Sequence, residues 1–321
     1  MKRRHVAAAL AATPLWSACI SRRQEAPEPP PRAGRLIEIG DVASSNAKLL
    51  PRPVSVWLPP GYDRERSRRL RVLYMHDGQN LFDSRTAFGG GPWGVDEALA
   101  ALIALGDVPP TIVVAVGNTA QRWYEYAPEA ALRALPADVR AAADAEFPLP
   151  GADLAAEAYV RFLADELKPQ IDQRFRTLPS RGDTFIMGSS MGGLASLYAL
   201  CRRPDVFGGA GCLSTHWPVT RIAGVHDNPG APPMIALSAA VLGWFDANLP
   251  RAGAHRIYFD HGTQGLDRLY APYQSRMDAI GAGKGYVTGK DWMSKAVAGA
   301  EHYEAAWNAR LPAALGFMLR P

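Results

Sequence analysis

Gly188-Ser189-Ser190-Met191-Gly192 sets a serine between two glycines in the pattern Gly-x-Ser-x-Gly. A serine hydroxyl so placed can attack a carbonyl carbon if a base removes its proton and N–H groups hold the oxyanion that forms. The bare pattern also arises by chance, so its surroundings carry the argument. Thr184-Phe185-Ile186-Met187 before it reads as a short buried strand, and Met191 to Leu200 after it reads as a helix. A strand, a sharp turn and a helix with serine at the apex make Ser190 the expected nucleophile. The glycines have a physical role, because such a turn strains the serine and brings backbone and helix together where a Cβ would clash.

The elements that must position this serine alternate along the chain. Strand-like runs at 54–58, 71–75, 111–116, 206–213, 256–259 and 296–297 are interleaved with helical patterns at 96–105, 152–171, 191–200, 233–249, 266–280 and 303–319. The unbroken apolar run Thr111-Ile112-Val113-Val114-Ala115-Val116 is that of a strand buried on both faces of a parallel sheet. Strand and helix in alternation predict an α/β protein with a mostly parallel central sheet and helices on both faces. With the elbow around Ser190 this is the α/β-hydrolase fold, whose strands open at their carboxyl ends into one crevice.

That fold presents its catalytic groups in the order serine, acid, histidine. Among the histidines after Ser190, His302 in Gly299-Ala300-Glu301-His302-Tyr303 lies between the last strand and the last helix, where a loop can carry it over the serine. His261 and His255 have the wrong order, and His216 beside Trp217 reads as pocket wall. The acid belongs just past strand 256–259, where Asp267 has the reach to orient His302 and Asp260 is the alternative, held closer to the strand end. The oxyanion donors are expected from the N–H of Met191 and from Gln79 or Gly78 in the loop His76-Asp77-Gly78-Gln79-Asn80. His76, Asp77 and Asp83 read as groups that shape this loop. No His-Glu-x-x-His or Cys/His cluster occurs, so neither a metal nor a cofactor is expected. Cys201 and Cys212 read as two separate buried thiols, with a disulfide as the alternative.

Charge divides the chain. Residues 1–34 hold six basic and two acidic residues, which is the whole net charge of +4, so the body is neutral and no nucleic-acid partner is expected. Lys2-Arg3-Arg4 followed by the apolar stretch Val6 to Trp16 reads as an export signal, too short to span a bilayer. Ser17-Ala18-Cys19 resembles a bacterial lipobox, with Cys19 the lipidated residue, although Trp16 stands where leucine is usual. The resulting division is a signal peptide at 1–18, a proline-rich tether at 19–34 and a catalytic domain at 35–321. The mature protein is expected outside the cytoplasm as a lipoprotein or, alternatively, as a secreted form, touching membrane only through its anchor.

Four stretches together resemble a known family: Tyr74-Met75-His76-Asp77-Gly78-Gln79-Asn80-Leu81-Phe82-Asp83, Arg122-Trp123-Tyr124-Glu125-Tyr126-Ala127-Pro128, the elbow, and Gly299 to Trp307. They are similar to the putative-esterase family that includes esterase D, feruloyl and acetylxylan esterases and enterobactin esterases. The resemblance implies a serine ester hydrolase, with Arg122 and Glu125 lining or bracing the site entrance. Some enterobactin esterases of the group use a serine–histidine dyad, which leaves the acid open. Trp93, Trp123, Tyr124, Tyr126 and Trp217 fall in or near loops at strand ends, and an aromatic-walled pocket would suit aryl or carbohydrate esters. The alternatives are a siderophore lactone, acyl transfer to an alcohol, or a catalytically silent binding lipoprotein, against which intact Ser190 and His302 argue. Cells fed an alkyne palmitate should label the wild-type chain and leave Cys19→Ser unlabelled; an unlabelled, freely soluble wild type would point to plain secretion.

Overall fold

Runs of β-branched and other apolar residues build the centre of the sheet, and all six positions of Thr111–Val116 and of Thr184–Ser189 are buried. The computed structural model describes residues 33–146, 149, 151, 153–220 and 232–321. The expected leader, Cys19, the tether as far as Arg32, and His226 lie outside the described residues. The strands are β1 (Arg35–Val42), β2 (Arg52–Leu58), β3 (Arg71–His76), β4 (Thr111–Val116), β5 (Thr184–Ser189), β6 (Gly209–Leu213), β7 (Arg256–Gly262) and β8 (Trp292–Val297). They form one sheet in the order β1-β2-β4-β3-β5-β6-β7-β8. From β4 to β8 every pairing is parallel, and β2 runs antiparallel to both β1 and β4.

Helices cover both faces: α1 (Val95–Leu105), α2 (Arg122–Tyr126), α3 (Glu129–Arg133), α4 (Ala137–Glu146), α5 (Ala156–Arg161), α6 (Lys168–Arg174), α7 (Met191–Arg202), α8 (Pro232–Asn248), α9 (Ala271–Gly283) and α10 (Glu304–Leu319). Alternation along the strands sorts the core into two layers. Val72, Tyr74, Ile112, Val114 and Ile186 face one layer with residues of α5, α7 and α8, while Leu73, Met75, Val113, Phe185 and Met187 face the other with α1 and α10. Each layer removes a broad apolar surface from water, the main term holding helices to sheet.

The sequence-based elements differ from these in identifiable ways. The single helix expected over 152–171 is α5 and α6 joined by a π-helical stretch, Phe162–Leu167. Strand β1 and the short helices α2, α3 and α4 were not expected. β1 is a half-exposed edge strand, interrupted between Glu38 and Gly40 by a register shift at which Gly40 takes φ +92°. Asp267–Leu269 is a 3₁₀ turn, so the helix expected from 266 begins at Ala271.

A buried ion pair ties β2 to α2. The Arg52 guanidinium donates to both Glu125 oxygens at 2.7 and 3.0 Å and lies over the Tyr159 and Phe162 rings at 4.8 and 5.2 Å. Both side chains are out of contact with water. Removing one partner strands the other charge, so Glu125→Ala should cost about 3–5 kcal/mol. Urea unfolding should report that loss, and the double change Arg52→Met, Glu125→Leu should recover much of it.

Candidate active site

Ser190 stands between β5 and α7 with φ 55° and ψ −123°, a region that residues with a Cβ rarely adopt. The turn is clamped at both ends. Its N–H donates to Leu213 O at 2.8 Å at the end of β6, and its carbonyl accepts from His216 N at 3.1 Å and Leu194 N at 3.2 Å. A Cβ on Gly188 would lie 2.7 Å from the carbonyl carbon of Gly192, so backbone approaches backbone here and only glycine fits.

The loop after β8 carries His302 over this serine. Ser190 Oγ lies 2.9 Å from His302 Nε2, and His302 Nδ1 lies 2.6 Å from Asp267 Oδ1. Tyr270 and Trp307 present their rings edge-on to the imidazole and confine its plane. Asp267 is fully buried, and its Oδ2 accepts from Ser214 Oγ and Gly262 N–H, each at 2.6 Å. Burial pushes its carboxyl up, but the hydrogen bonds from His302, Ser214 and Gly262 outweigh this and hold it below the ordinary aspartate value.

Asp260 occupies a different place. It sits within β7, its Oδ2 accepting from Tyr258 O–H at 3.1 Å and its Oδ1 paired with the Arg310 guanidinium at 3.0 Å. Burial raises its carboxyl to about 6 against the pull of Arg310. Sequence reasoning missed Ser214 and Arg310. Ser214 (φ 44°) donates to Asp267 and accepts from Trp307 Nε1 at 3.0 Å and Arg310 Nη2 at 2.9 Å, so α10 is bonded directly to the hydroxyl that supports Asp267. The available signal for Ser214 was its position at the carboxyl end of β6.

The loop after β3 forms the facing wall. Asp77 takes φ 54° and Gly78–Asn80 make a 3₁₀ turn. A Cβ on Gly78 would come within 2.7 Å of the Ala115–Val116 backbone, which lets the loop lie flat on β4. Arg122 grips Asp77 with two bonds of 2.6 and 2.8 Å, and Asn118 Nδ2 donates a third at 2.6 Å. Burial raises the Asp77 carboxyl, but Arg122 and Asn118 hold it below its ordinary value. Gln79 Oε1 accepts from Asn118 N–H at 3.2 Å, fixing the residue's orientation. A Cβ on Gly192 would stand 3.3 Å from Asp77 Oδ2, so the first turn of α7, where Met191 N–H has no helical acceptor, abuts this loop. His76 is buried against Tyr159 O–H at 2.9 Å, and burial lowers it to about 4, which keeps it neutral.

Five expected positions need correction. Glu125 faces Arg52 inside the protein, not the cleft. Trp217 is 1 % exposed and packs on Phe245 and Phe259, so it is core and not substrate wall, and His216 is buried beneath the cleft. Trp93 and Tyr126 are likewise buried. For the rings among them the physical reason is common: large rings at strand ends gain more by closing the core beneath the cleft than by facing water. Trp123 is half-buried and edge-on to His216, and the Arg122 side chain keeps 31 % of its surface exposed. Cys201 and Cys212 are both free and buried. Among the described residues no group of three His, Cys, Asp or Glu side chains is arranged to hold a metal ion.

A family model described as "Putative esterase" matches residues 45–318. No curated protein sequence matches the chain. Solved structures do. A ferulic acid esterase superposes with a TM-score of 0.58 at 18% identity, covering 89% of this chain and 98% of its own. The feruloyl esterase module from Clostridium thermocellum gives 0.56 at 17% identity over 91% and 90%. Ferric enterobactin esterase from Salmonella typhimurium gives 0.59 at 18% identity over 91% of this chain, which spans only 59% of that one. At such identities the likeness is one of fold.

The two aspartates bias stability in opposite directions with pH. Asp260, raised to about 6, contributes stability that is full below about pH 4 and lost as pH rises through 6. Asp267, lowered, contributes stability present above the ordinary carboxylate value and lost as pH falls below it. Urea unfolding at pH 4.5 and pH 7 should therefore show wild type losing on the order of 2 kcal/mol relative to Asp260→Asn over that interval. Parallel curves for the two proteins would refute the assignment.

Proposed function

The chain belongs to the putative esterase family, and from that membership and the geometry around Ser190 we propose a serine carboxylic-ester hydrolase that works through an acyl-enzyme. The observation that carries this reading is the unbroken hydrogen-bonded line from Ser190 Oγ through His302 to Asp267. Ser190 Oγ attacks the ester carbonyl as His302 Nε2 takes its proton. Asp267 holds Nδ1–H and stabilises the imidazolium while remaining ionised itself. The N–H of Met191, at the positive end of α7, and that of Gln79 or Gly78 hold the oxyanion. His302 then protonates the departing alcohol, and a water activated by the same imidazole releases the acid.

The substrates we propose are aryl or carbohydrate esters. Support comes from the names of the structural neighbours, which share hydroxylated aromatic acids: a ferulic acid esterase, a feruloyl esterase module complexed with sinapinate, and an enterobactin esterase in the presence of 2,3-dihydroxy-N-benzoyl-serine. Half-buried Trp123 and Tyr124 and partly exposed Arg122 are the side chains of the second motif that remain available to such a ligand. The enterobactin likeness supports a siderophore lactone as the second reading. The leader pattern at 1–18, Cys19 and the tether to residue 34 support an exported, lipid-anchored form with residues 35–321 as the catalytic domain.

A fluorophosphonate should label wild type and spare Ser190→Ala; labelling that survives the change removes Ser190 as nucleophile. Asp267→Asn should lower kcat by roughly 10³–10⁴-fold and Asp260→Asn by less than about tenfold at equal folded fraction. Near-wild-type kcat in both would mean a dyad. Ranked by kcat/KM, methyl ferulate or acetylated xylo-oligosaccharide should exceed ferric enterobactin.

A further inference from the structure

The two ends of the parallel sheet carry different charge. The segments at the amino ends of its strands are 33–35, 59–71, 106–110, 175–183, 203–208, 249–256, 284–291 and, after α10, 320–321. They hold fourteen Lys or Arg and six Asp or Glu. At the carboxyl ends, where the cleft opens, segments 43–51, 77–94, 117–121, 214–220, 263–270 and 298–303 hold three Lys or Arg and four Asp or Glu. Residues 35–321 are neutral in sum, so charge is sorted by end, and the face opposite the cleft is basic.

Much of that basic charge is unmatched. Arg64, Arg66, Arg251 and Lys290 are exposed and form no ion pair among the described residues. A depression of about 340 Å³ at this end is lined by Arg71, Arg256, Lys290 and Arg320, with Asp291 its one carboxylate. Arg71 and Arg256 each give Nη1 to a carbonyl that ends α10, Leu319 O and Arg320 O at 2.9 Å, which leaves Nη2 of both without a partner among the described residues. Burial, and after it the charges of Arg320 and Arg71, pull the Arg256 guanidinium below its ordinary value, so like charges crowd here. Guanidinium N–H groups turned to one depression suit phosphate oxygens. Leu105 and Val287, 76 % and 53 % exposed, stand at the same end. A soluble polyanion would use the cations alone, whereas a surface of phosphate above acyl chains also takes up the apolar side chains.

We propose that this basic end docks on an anionic phospholipid surface, with lipid phosphates held by Arg71, Arg256 and Lys290. This rests on the exported, lipid-anchored reading above and extends it, because the folded body meets the membrane as well as the anchor. Topology supports it. Arg35 pairs with Leu58 and Trp57 with Val113, so the chain enters the sheet at its basic end, and residues 19–34 join the body there. Docking at this end turns the cleft away from the bilayer, towards esters in solution.

The test uses the full chain carrying Cys19→Ser, so that no acyl chain contributes, and co-sedimentation with vesicles of phosphatidylcholine alone or mixed with phosphatidylglycerol. The chain should bind the anionic vesicles about tenfold or more tightly than the neutral ones, and added salt should weaken that binding. Adding Lys290→Gln should weaken it by about fivefold, and Arg64→Gln, Arg66→Gln and Arg251→Gln by about as much each. Lys48→Gln, an equally exposed change at the cleft end, should leave binding as it was. Turnover of p-nitrophenyl acetate should stay at the parent's level in all of these, which shows that each variant is folded. Equal binding to both vesicle types, or equal loss from Lys48→Gln and Lys290→Gln, overturns the proposal. Charge-dependent binding to heparin or duplex DNA without binding to vesicles also overturns it, assigning the face to a soluble polyanion. If the Cys19→Ser chain docks as expected while wild type takes up no palmitate, the basic face stands and the anchor falls; the reverse pair of results keeps the anchor and removes the face.

Discussion

A serine held at φ 55° persists only where its surroundings leave it no alternative. Here the constraint is the close approach of Gly188 to Gly192, locked by the bond from Ser190 N–H to Leu213 O. Relaxing Ser190 would break the bond to β6 and open the packing of α7, whose residues from Met191 to Cys201 are all buried. The strain thus draws on the whole sheet-to-helix interface. Its effect is to aim Oγ out of the backbone plane towards the loop that carries His302.

Buried charge organises the rest of the cleft. Arg310 reaches from α10 to Asp260 and to the Ser214 hydroxyl, and Trp307 on the same helix bonds Ser214 as well. The last helix is therefore fastened beneath Asp267, so the loop before it has little freedom in placing His302. On the opposite wall Arg122 clamps Asp77, and the neighbouring Arg52 and Glu125 pair holds α2 against β2. In water such pairs contribute little, but in these dry positions each one fixes geometry because its alternative is a stranded charge.

The elements legible in advance were those with a strong local pattern. Continuous apolar runs marked β4 and β5, and the glycine-flanked serine between a strand and a helix marked the elbow. β1 was not legible because half of its surface faces water and a register shift breaks its alternation. Helices α2 to α4 were not legible because they are short and depend on contacts with distant segments, such as Ala130 N–H to Tyr198 O–H. The loop tryptophans misled in the opposite direction, since a large ring after a strand reads the same whether it lines a cleft or seals a core.

The sequence by itself determined which residues could do chemistry and in what order, because the nucleophile turn needs glycine at set positions and the fold dictates that the acid and the histidine follow. It also determined the α/β alternation, since hydrophobic period is a local property. Only the tertiary structure decided which carboxylates find partners. β7 runs to Gly262, so Asp260 is committed to Arg310, while Asp267, beyond the strand end, reaches His302. The same long-range closure gave Glu125 to Arg52 across 73 residues. Partnership between charges depends on distance through space and on access to water, and neither is written in the spacing of residues along a chain.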